Sequence, residues 1–282
     1  MRKGVIFDIK EMALFDGPGL RQTVFLKGCP LRCSWCQNPE GMEKKPVLMV
    51  SWASCLHCNA CRNVCPHTSS CNACGACIPV CPLNLRHIVG EEIESDVLVK
   101  RLMKDSDYYR RYGGGVTFSG GEPLLQGEFL LEVLEKLPRM HTAIETSGFC
   151  DASLFKDVVG ALDFIYMDMK LMDSSRHKKY CGVDNKVILE NARFLCGSDK
   201  PFVIRIPVIP GVNDSEENYR ATAKFLKGAK NLKRVELLHY NSAAGAKYSM
   251  IGKSYRPDFD PERVAMIDQR PFTEEGIRSV VL

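Results

Sequence analysis

Short apolar runs recur along the chain at 23–26, 116–118, 142–145, 164–168, 202–207 and 235–239. Several carry no polar alternation, which fits strands covered on both faces. Between them the spacing becomes helical. Phe129, Leu130, Val133, Leu134 and Leu137 share one face of a helix predicted over 129–137. Other helical patterns cover 97–112 behind a Ser95 cap, 154–162, 187–195, and 216–226 behind Asp214 and Ser215. Six such strand–helix units imply a parallel sheet with right-handed crossovers. Six fall short of a closed eight-stranded barrel, so the expected fold is α/β: a partial (β/α)6 TIM-like barrel. Its ligands should sit at the carboxyl ends of the strands.

The pattern stops between residues 51 and 90. That stretch has two charged residues, Arg62 and Arg86, and eight cysteines, in a chain that is 26% charged overall. A unit with so little apolar periodicity is held by metal rather than by a core. It reads as an insert, 47–94, between the first strand and first helix, leaving 1–46 and 95–282 to the barrel. Charge is near balance, 38 basic against 34 acidic residues, with no polybasic run. A concentrated basic face for nucleic acid is therefore not expected. No apolar run reaches the ~18 residues of a membrane span, and residues 1–10 do not read as a signal peptide. The expectation is a cytoplasmic protein that contacts neither nucleic acid nor membrane.

Fourteen cysteines among 282 residues change the picture. In a reducing compartment so many thiols hold metal or do chemistry. Cys29, Cys33 and Cys36 follow the first strand directly, where a barrel places its active-site loops. Three thiolates hold three irons of a 4Fe–4S cube and leave the fourth iron open; a zinc knuckle with a remote fourth ligand is the alternative. Cys55, Cys58, Cys61 and Cys65, then Cys71, Cys74, Cys77 and Cys81, each match the ferredoxin run C-x2-C-x2-C-x3-C-P. Two four-cysteine zinc sites are the competing reading, disfavoured by the extra cysteine in each run and by Pro66 and Pro82. The spacer between Cys65 and Cys71 is only five residues, shorter than in a full two-cluster ferredoxin. Two auxiliary 4Fe–4S clusters are expected. Cys150 and Cys196 read as small apolar residues, and Cys181 has no assignment.

Taken with its other motifs, the chain resembles the radical SAM enzymes and, within them, the glycyl-radical-enzyme activating enzymes of the subgroup with a ferredoxin-like insert. The resemblance rests on Asp16-Gly17-Pro18-Gly19-Leu20-Arg21, the three-cysteine loop with Gln37-Asn38-Pro39, and Ser119-Gly120-Gly121-Glu122-Pro123. It continues through Glu145-Thr146-Ser147-Gly148, Asp168-Met169-Lys170, Arg205 to Gly211, and His239-Tyr240 with Gly245 and Lys247-Tyr248. It implies S-adenosylmethionine as cofactor, chelated at the open iron of the Cys29/Cys33/Cys36 cluster. Ser119, Gly120, Gly121 and Glu122 are implied to receive its amino group. Lys170 and His239 are implied on its carboxylate and ribose side, and Trp35 against its adenine.

Glu145 and Asp168 end successive strands, and paired carboxylates repel unless a cation intervenes or one is protonated. The resemblance implies a monovalent cation among Glu145, Thr146, Asp168 and Tyr166; ribose hydroxyls are the competing ligand. It further implies a partner glycyl radical enzyme, whose C-terminal glycine loop would enter a groove lined by Asp16, Gly17, Arg21 and Arg205. The auxiliary clusters would pass electrons from a ferredoxin or flavodoxin, and the protein would dock as a monomer. Three other readings remain: a radical enzyme acting on a small molecule, a non-catalytic ferredoxin-like electron-transfer protein, and the activase of an anaerobic nucleotide reductase, a type that usually lacks the insert.

Overall fold

The computed structural model describes residues 1–67, 70–138 and 140–282. The first part of the chain forms β1 (Lys3–Ala13), β2 (Arg21–Leu26), β3 (Val47–Val50), α1 (Ala60–Asn63), β4 (Arg86–Val89) and β5 (Glu91–Glu94). Then come α2 (Ser95–Met103), α3 (Ser106–Arg111), β6 (Gly115–Gly120), α4 (Gly127–Lys136), β7 (His141–Thr146), α5 (Ala152–Ala161) and β8 (Phe164–Asp168). The remainder is α6 (Ser174–Cys181), α7 (Lys186–Gly197), β9 (Phe202–Val208), α8 (Glu216–Leu226), β10 (Leu232–His239), α9 (Ala246–Met250), α10 (Arg270–Glu274) and β11 (Ser279–Val281).

Nine strands of the described residues form one sheet, ordered β11-β10-β9-β8-β7-β6-β2-β1-β5, while β3 and β4 pair with each other. Neighbours from β11 to β2 are parallel, and β1 and β5 extend the far edge antiparallel. Among the described residues β5 and β11 do not pair, so the sheet stays open. The fold is mixed α/β, consistent with a partial TIM-like barrel.

Successive strand residues face opposite sides. On the outer side Val24, Phe118, Ile144, Met167, Ile204 and Leu237 pack under the helices in the main core, joined by Leu130, Val133 and Phe155 from α4 and α5. Burying each such side chain stabilises by roughly 1.5–3 kcal/mol. The inner side is polar and carries Arg21, Thr117, Glu145, Asp168, Arg205 and Glu236 as the alternate residues of the same strands.

All six predicted strands fall within β2 and β6 to β10. The helix predicted over 97–112 is two helices, α2 and α3, interrupted at Lys104 and Asp105. Ser95 is not a cap. It is the first residue of α2, and its hydroxyl donates to Glu132 Oε1 at 2.7 Å, fastening α2 to α4. Ser215 does cap α8, accepting from the Asn218 amide at 3.3 Å. The expected insert boundary at 94 shifts inward, because β5 pairs with β1 and so belongs to the main sheet.

Candidate active site at the carboxyl ends of the strands

A cavity of about 290 Å³ opens at these strand ends. It is lined by Cys29, Cys33, Trp35 and Cys36 from the loop after β2, and by Ser119, Gly120, Gly121 and Glu122 after β6. Glu145 and Thr146 of β7, Asp168 and Lys170 at the end of β8, and Arg205 of β9 complete the wall. These residues lie far apart in sequence, yet the parallel register brings them to one rim. Gln37, Asn38, Ser147 and Pro207, which the motifs contain without a site role, also line it, as do Leu31, Met42 and Leu238, which were missed from the sequence. Strand alternation was the available signal for Pro207 and Leu238, two residues beyond Arg205 and Glu236.

Backbone contacts on both sides hold the cysteine loop. Gly28 and Cys29 donate to the carbonyls of Gly41 and Met42 at 2.7 and 2.9 Å. Arg32 and Ser34 donate to those of Cys181 and Tyr180 at 2.7 and 2.9 Å. Burial pushes the Cys29 and Cys36 thiols up to about 12. Contact with the Cys181 thiol, then burial, raises Cys33 well above the ordinary thiol range. All three thiols line one cavity, and no other cysteine among the described residues shares its wall. The donor set therefore fits the Cys29/Cys33/Cys36 cluster expected from the spacing.

Glu122 braces the wall from within. Its Oε1 accepts from Leu124 N at 3.1 Å and Thr146 Oγ1 at 2.5 Å, and its Oε2 accepts from Ser147 N at 2.8 Å and Ser147 Oγ at 2.5 Å. Burial raises its pKa against the pull of these donors. The Thr146 hydroxyl also accepts from Gly148 N at 2.9 Å. Gly121 marks a close approach of backbones, since a Cβ there would lie 2.3 Å from the Gly28 carbonyl oxygen.

Ion pairs fill the rest of the rim. Lys170 Nζ donates to Asp168 Oδ2 at 2.6 Å. Burial works against the Lys170 ammonium, but Asp168 together with Cys33 and Cys181 outweighs it and leaves the pKa raised. Arg205 Nη1 pairs with Glu145 Oε1, Nε donates to Glu236 Oε2 at 2.8 Å, and Nη2 donates to the Phe15 carbonyl at 2.7 Å. The second Glu145 oxygen accepts from Ser119 Oγ at 2.7 Å.

Several predicted site residues lie elsewhere. His239 is exposed and outside the cavity lining. Strand alternation explains why, because Glu236 and Leu238 face inward and His239 shares the outer face of Val235 and Leu237. Tyr166 is buried, with its ring centroid 3.9 Å from the Arg205 guanidinium carbon, and does not line the cavity. Glu145, Thr146 and Asp168 line the cavity expected to hold the cation, each with a protein partner on at least one oxygen.

Asp16, Gly17 and Arg21 are also outside the lining. Asp16 Oδ2 accepts from Thr23 Oγ1, and its carbonyl from Thr117 Oγ1, both at 2.6 Å. Arg21 is fully buried at the opposite end of the strands, where it donates to Thr117 Oγ1 at 2.6 Å and to the Pro18 carbonyl at 2.9 Å. Burial lowers its pKa to about 10. Arg21 therefore anchors the 14–20 segment instead of presenting a free side chain to a groove.

The cysteine-rich segment holds a second cavity, of about 700 Å³, lined by all eight cysteines from Cys55 to Cys81. Its two runs repeat the same backbone shape. His57 and Asn59 have positive φ, as do Ala73 and Gly75 sixteen residues later. His57 N donates to Cys55 Sγ and Ala73 N to Cys71 Sγ, both at 3.4 Å. Leu85 N donates to Cys81 Sγ at 3.4 Å and holds that thiol's pKa down. Such N–H···S bonds stabilise thiolates around iron. Among the described residues no three His, Cys, Asp or Glu side chains converge on a single-ion position.

Comparison with known proteins follows the same lines. A family model described as the radical SAM superfamily matches residues 23–223. The 4-hydroxyphenylacetate decarboxylase activating enzyme of Clostridioides difficile strain 630 is 39% identical over 280 residues, covering 90% of this chain and 87% of the relative. The choline trimethylamine-lyase activating enzyme of Oleidesulfovibrio alaskensis is 37% identical over 281 residues, covering 92% and 91%. Among solved structures, a radical SAM methyltransferase from Sphaerobacter thermophilus superposes with a TM-score of 0.56 at 14% identity, covering all of this chain and 76% of that one. At that identity the likeness concerns the fold alone. No helix among the described residues is long and apolar enough to cross a membrane.

Proposed function

The chain belongs to the radical SAM superfamily and, within it, to the glycyl-radical-enzyme activating enzymes, and on that footing we propose how its two cavities divide the work. Held by Cys29, Cys33 and Cys36, a 4Fe–4S cluster would supply the electron that cleaves S-adenosylmethionine to methionine and a 5′-deoxyadenosyl radical, which would become 5′-deoxyadenosine by taking a hydrogen atom from a glycine Cα of the partner enzyme. The protein's share is binding, orientation and exclusion of side reactions. Lys170, fixed by Asp168, offers an ammonium to the cofactor's carboxylate. The backbone of Ser119 to Gly121 admits its amino group closely, while Glu122 keeps that turn rigid. Trp35, buried against Leu31 and Tyr180, gives the adenine a flat wall. Pro207 and Leu238 keep water from the reacting carbon.

The eight cysteines of the insert hold two auxiliary clusters in a ferredoxin-like unit that passes electrons inward from a ferredoxin or flavodoxin. The 14–20 segment, tied to Arg205 through Phe15, borders the entry for the partner's glycine loop. One observation carries the assignment: a single cavity is lined by the three thiols, the Ser119–Gly121 turn and Lys170.

The test is anaerobic electron paramagnetic resonance on the reconstituted, reduced protein with S-adenosylmethionine and a panel of glycyl radical enzymes. A glycyl doublet on one panel member is expected, absent with Cys33→Ala. Release of 5′-deoxyadenosine with no doublet on any member would instead direct the radical to a small molecule.

A further inference from the structure

The acid pair at the strand ends poses an electrostatic question. Glu145 and Asp168 share a partly enclosed cavity, and carboxylates so placed need positive charge beside them. A loosely held metal ion is one source. Side chains of this chain supply another. The Arg205 guanidinium leaves β9, crosses β8 with its carbon 3.9 Å from the Tyr166 ring centroid, and pairs with Glu145 on β7. Such stacking suits a guanidinium. Glutamate reaches one methylene further than aspartate, which helps Glu145 meet it.

Both acids of the pair already have a protein donor. Glu145 accepts from Arg205 and from Ser119 Oγ, and Asp168 from Lys170 at 2.6 Å. The Thr146 hydroxyl lies between Glu122 and Gly148 N, and the Tyr166 ring lies beneath the guanidinium. Glu236, 1% exposed, joins the network by accepting from both Arg205 and Arg234. Glu145 and Glu236 thus face Arg205 and Arg234, while Asp168 faces Lys170 in a separate pair.

We propose that Arg205 is the built-in cation of this pocket, a positioning residue that fixes Glu145 and frees S-adenosylmethionine binding from any monovalent metal ion. The inference rests on the reading of the cavity as the S-adenosylmethionine site.

Isothermal titration of S-adenosylmethionine into the cluster-loaded protein tests it, in potassium, sodium or tetramethylammonium chloride at equal ionic strength. Dissociation constants are expected to agree within about twofold across the three salts. Weakening by about tenfold in tetramethylammonium, roughly 1.4 kcal/mol, would overturn the proposal. Arg205→Met is expected to acquire that salt preference, binding about tenfold more tightly in potassium than in tetramethylammonium. A folded Arg205→Met protein indifferent to the salt would also overturn it. If that variant does not fold, the wild-type comparison still decides. No binding in any salt would remove the cofactor reading of the cavity, an outcome distinct from salt-dependent binding.

Discussion

Ser34 hangs from Tyr180: its backbone N–H donates to the Tyr180 carbonyl at 2.9 Å and its hydroxyl to the same oxygen at 3.3 Å. With Arg32 bonded to the Cys181 carbonyl, the three-cysteine loop is attached to the last turn of α6, whose carbonyls lack partners within the helix. The helix ends there because Gly182 adopts the left-handed conformation, φ +83°. A Cβ on Gly182 would lie 3.0 Å from Arg32 Cβ and 3.3 Å from Arg32 N. Gly182→Val therefore strains the cap and pushes on the loop together, at a cost of about 1–3 kcal/mol. The variant should melt lower and keep less iron per chain after reconstitution. Full iron content in a destabilised variant would show that the loop does not depend on α6.

Acid should act at the junction of α2 and α4. Glu132 accepts from Lys136 Nζ at 2.6 Å, Ser95 Oγ at 2.7 Å and Arg2 N at 2.9 Å. Lys136 first, then Ser95, lower its pKa to about 2. Its unfolded value is about 4.3, so the folded state binds this proton less readily. The stabilisation is complete above about pH 4.3 and disappears as pH falls through about 2. Urea unfolding of wild type and Glu132→Gln should differ at pH 7, with the gap narrowing below about pH 4.3. A gap constant from pH 7 to 3 would mean that packing, not charge, separates the two proteins.

The parallel sheet was legible because its outer face reads as apolar runs: Phe202, Ile204, Ile206 and Val208 alternate with Val203, Arg205 and Pro207. The same alternation could have placed His239, which shares parity with the core residues Val235 and Leu237. Motif position outweighed parity there, and the structure leaves His239 exposed and outside the cavity lining. β1 was missed because it lies next to the sheet edge and mixes Lys3, Asp8, Lys10 and Glu11 among its apolar residues. α6 was missed because its sequence, SSRHKKYC, has almost no apolar stripe; only His177, Tyr180 and Cys181 are buried. The thiols were legible through spacing, and the glycine turn and the D-x-K strand end through the resemblance of their motifs. Neither the Glu145–Arg205 pair nor the Glu122 brace was, because each joins strands whose separation only the folded sheet sets.

Lys170 offers a clean separation of cofactor binding from iron retention. Its carbonyl accepts from Asn213 Nδ2 at 2.7 Å, so the backbone stays anchored without the side chain. Lys170→Ala removes the ammonium and leaves Asp168 without its ion-pair partner. A charged contact of this kind is worth about 1.5–3 kcal/mol, which corresponds to roughly ten- to a hundredfold weaker S-adenosylmethionine binding. Iron and sulfide contents should match wild type. A parallel loss of iron would give Lys170 a structural role in the cysteine loop instead.

The insert can be tested by changing only the source of electrons. Cys58 and Cys74 are exposed members of the two runs and lie sixteen residues apart, at equivalent places in the repeat. Replacing both with alanine should impair the auxiliary sites and leave Cys29, Cys33 and Cys36 untouched, since those thiols line a different cavity. With dithionite, a small reductant that needs no docking site, S-adenosylmethionine cleavage should continue at close to the wild-type rate. With reduced ferredoxin or flavodoxin the rate should fall by at least about tenfold, a rise of roughly 1.4 kcal/mol in the effective barrier. Equal rates with the protein donors would mean that electrons enter at the Cys29 cavity directly. Loss of activity with dithionite as well would make the insert a structural support for the barrel.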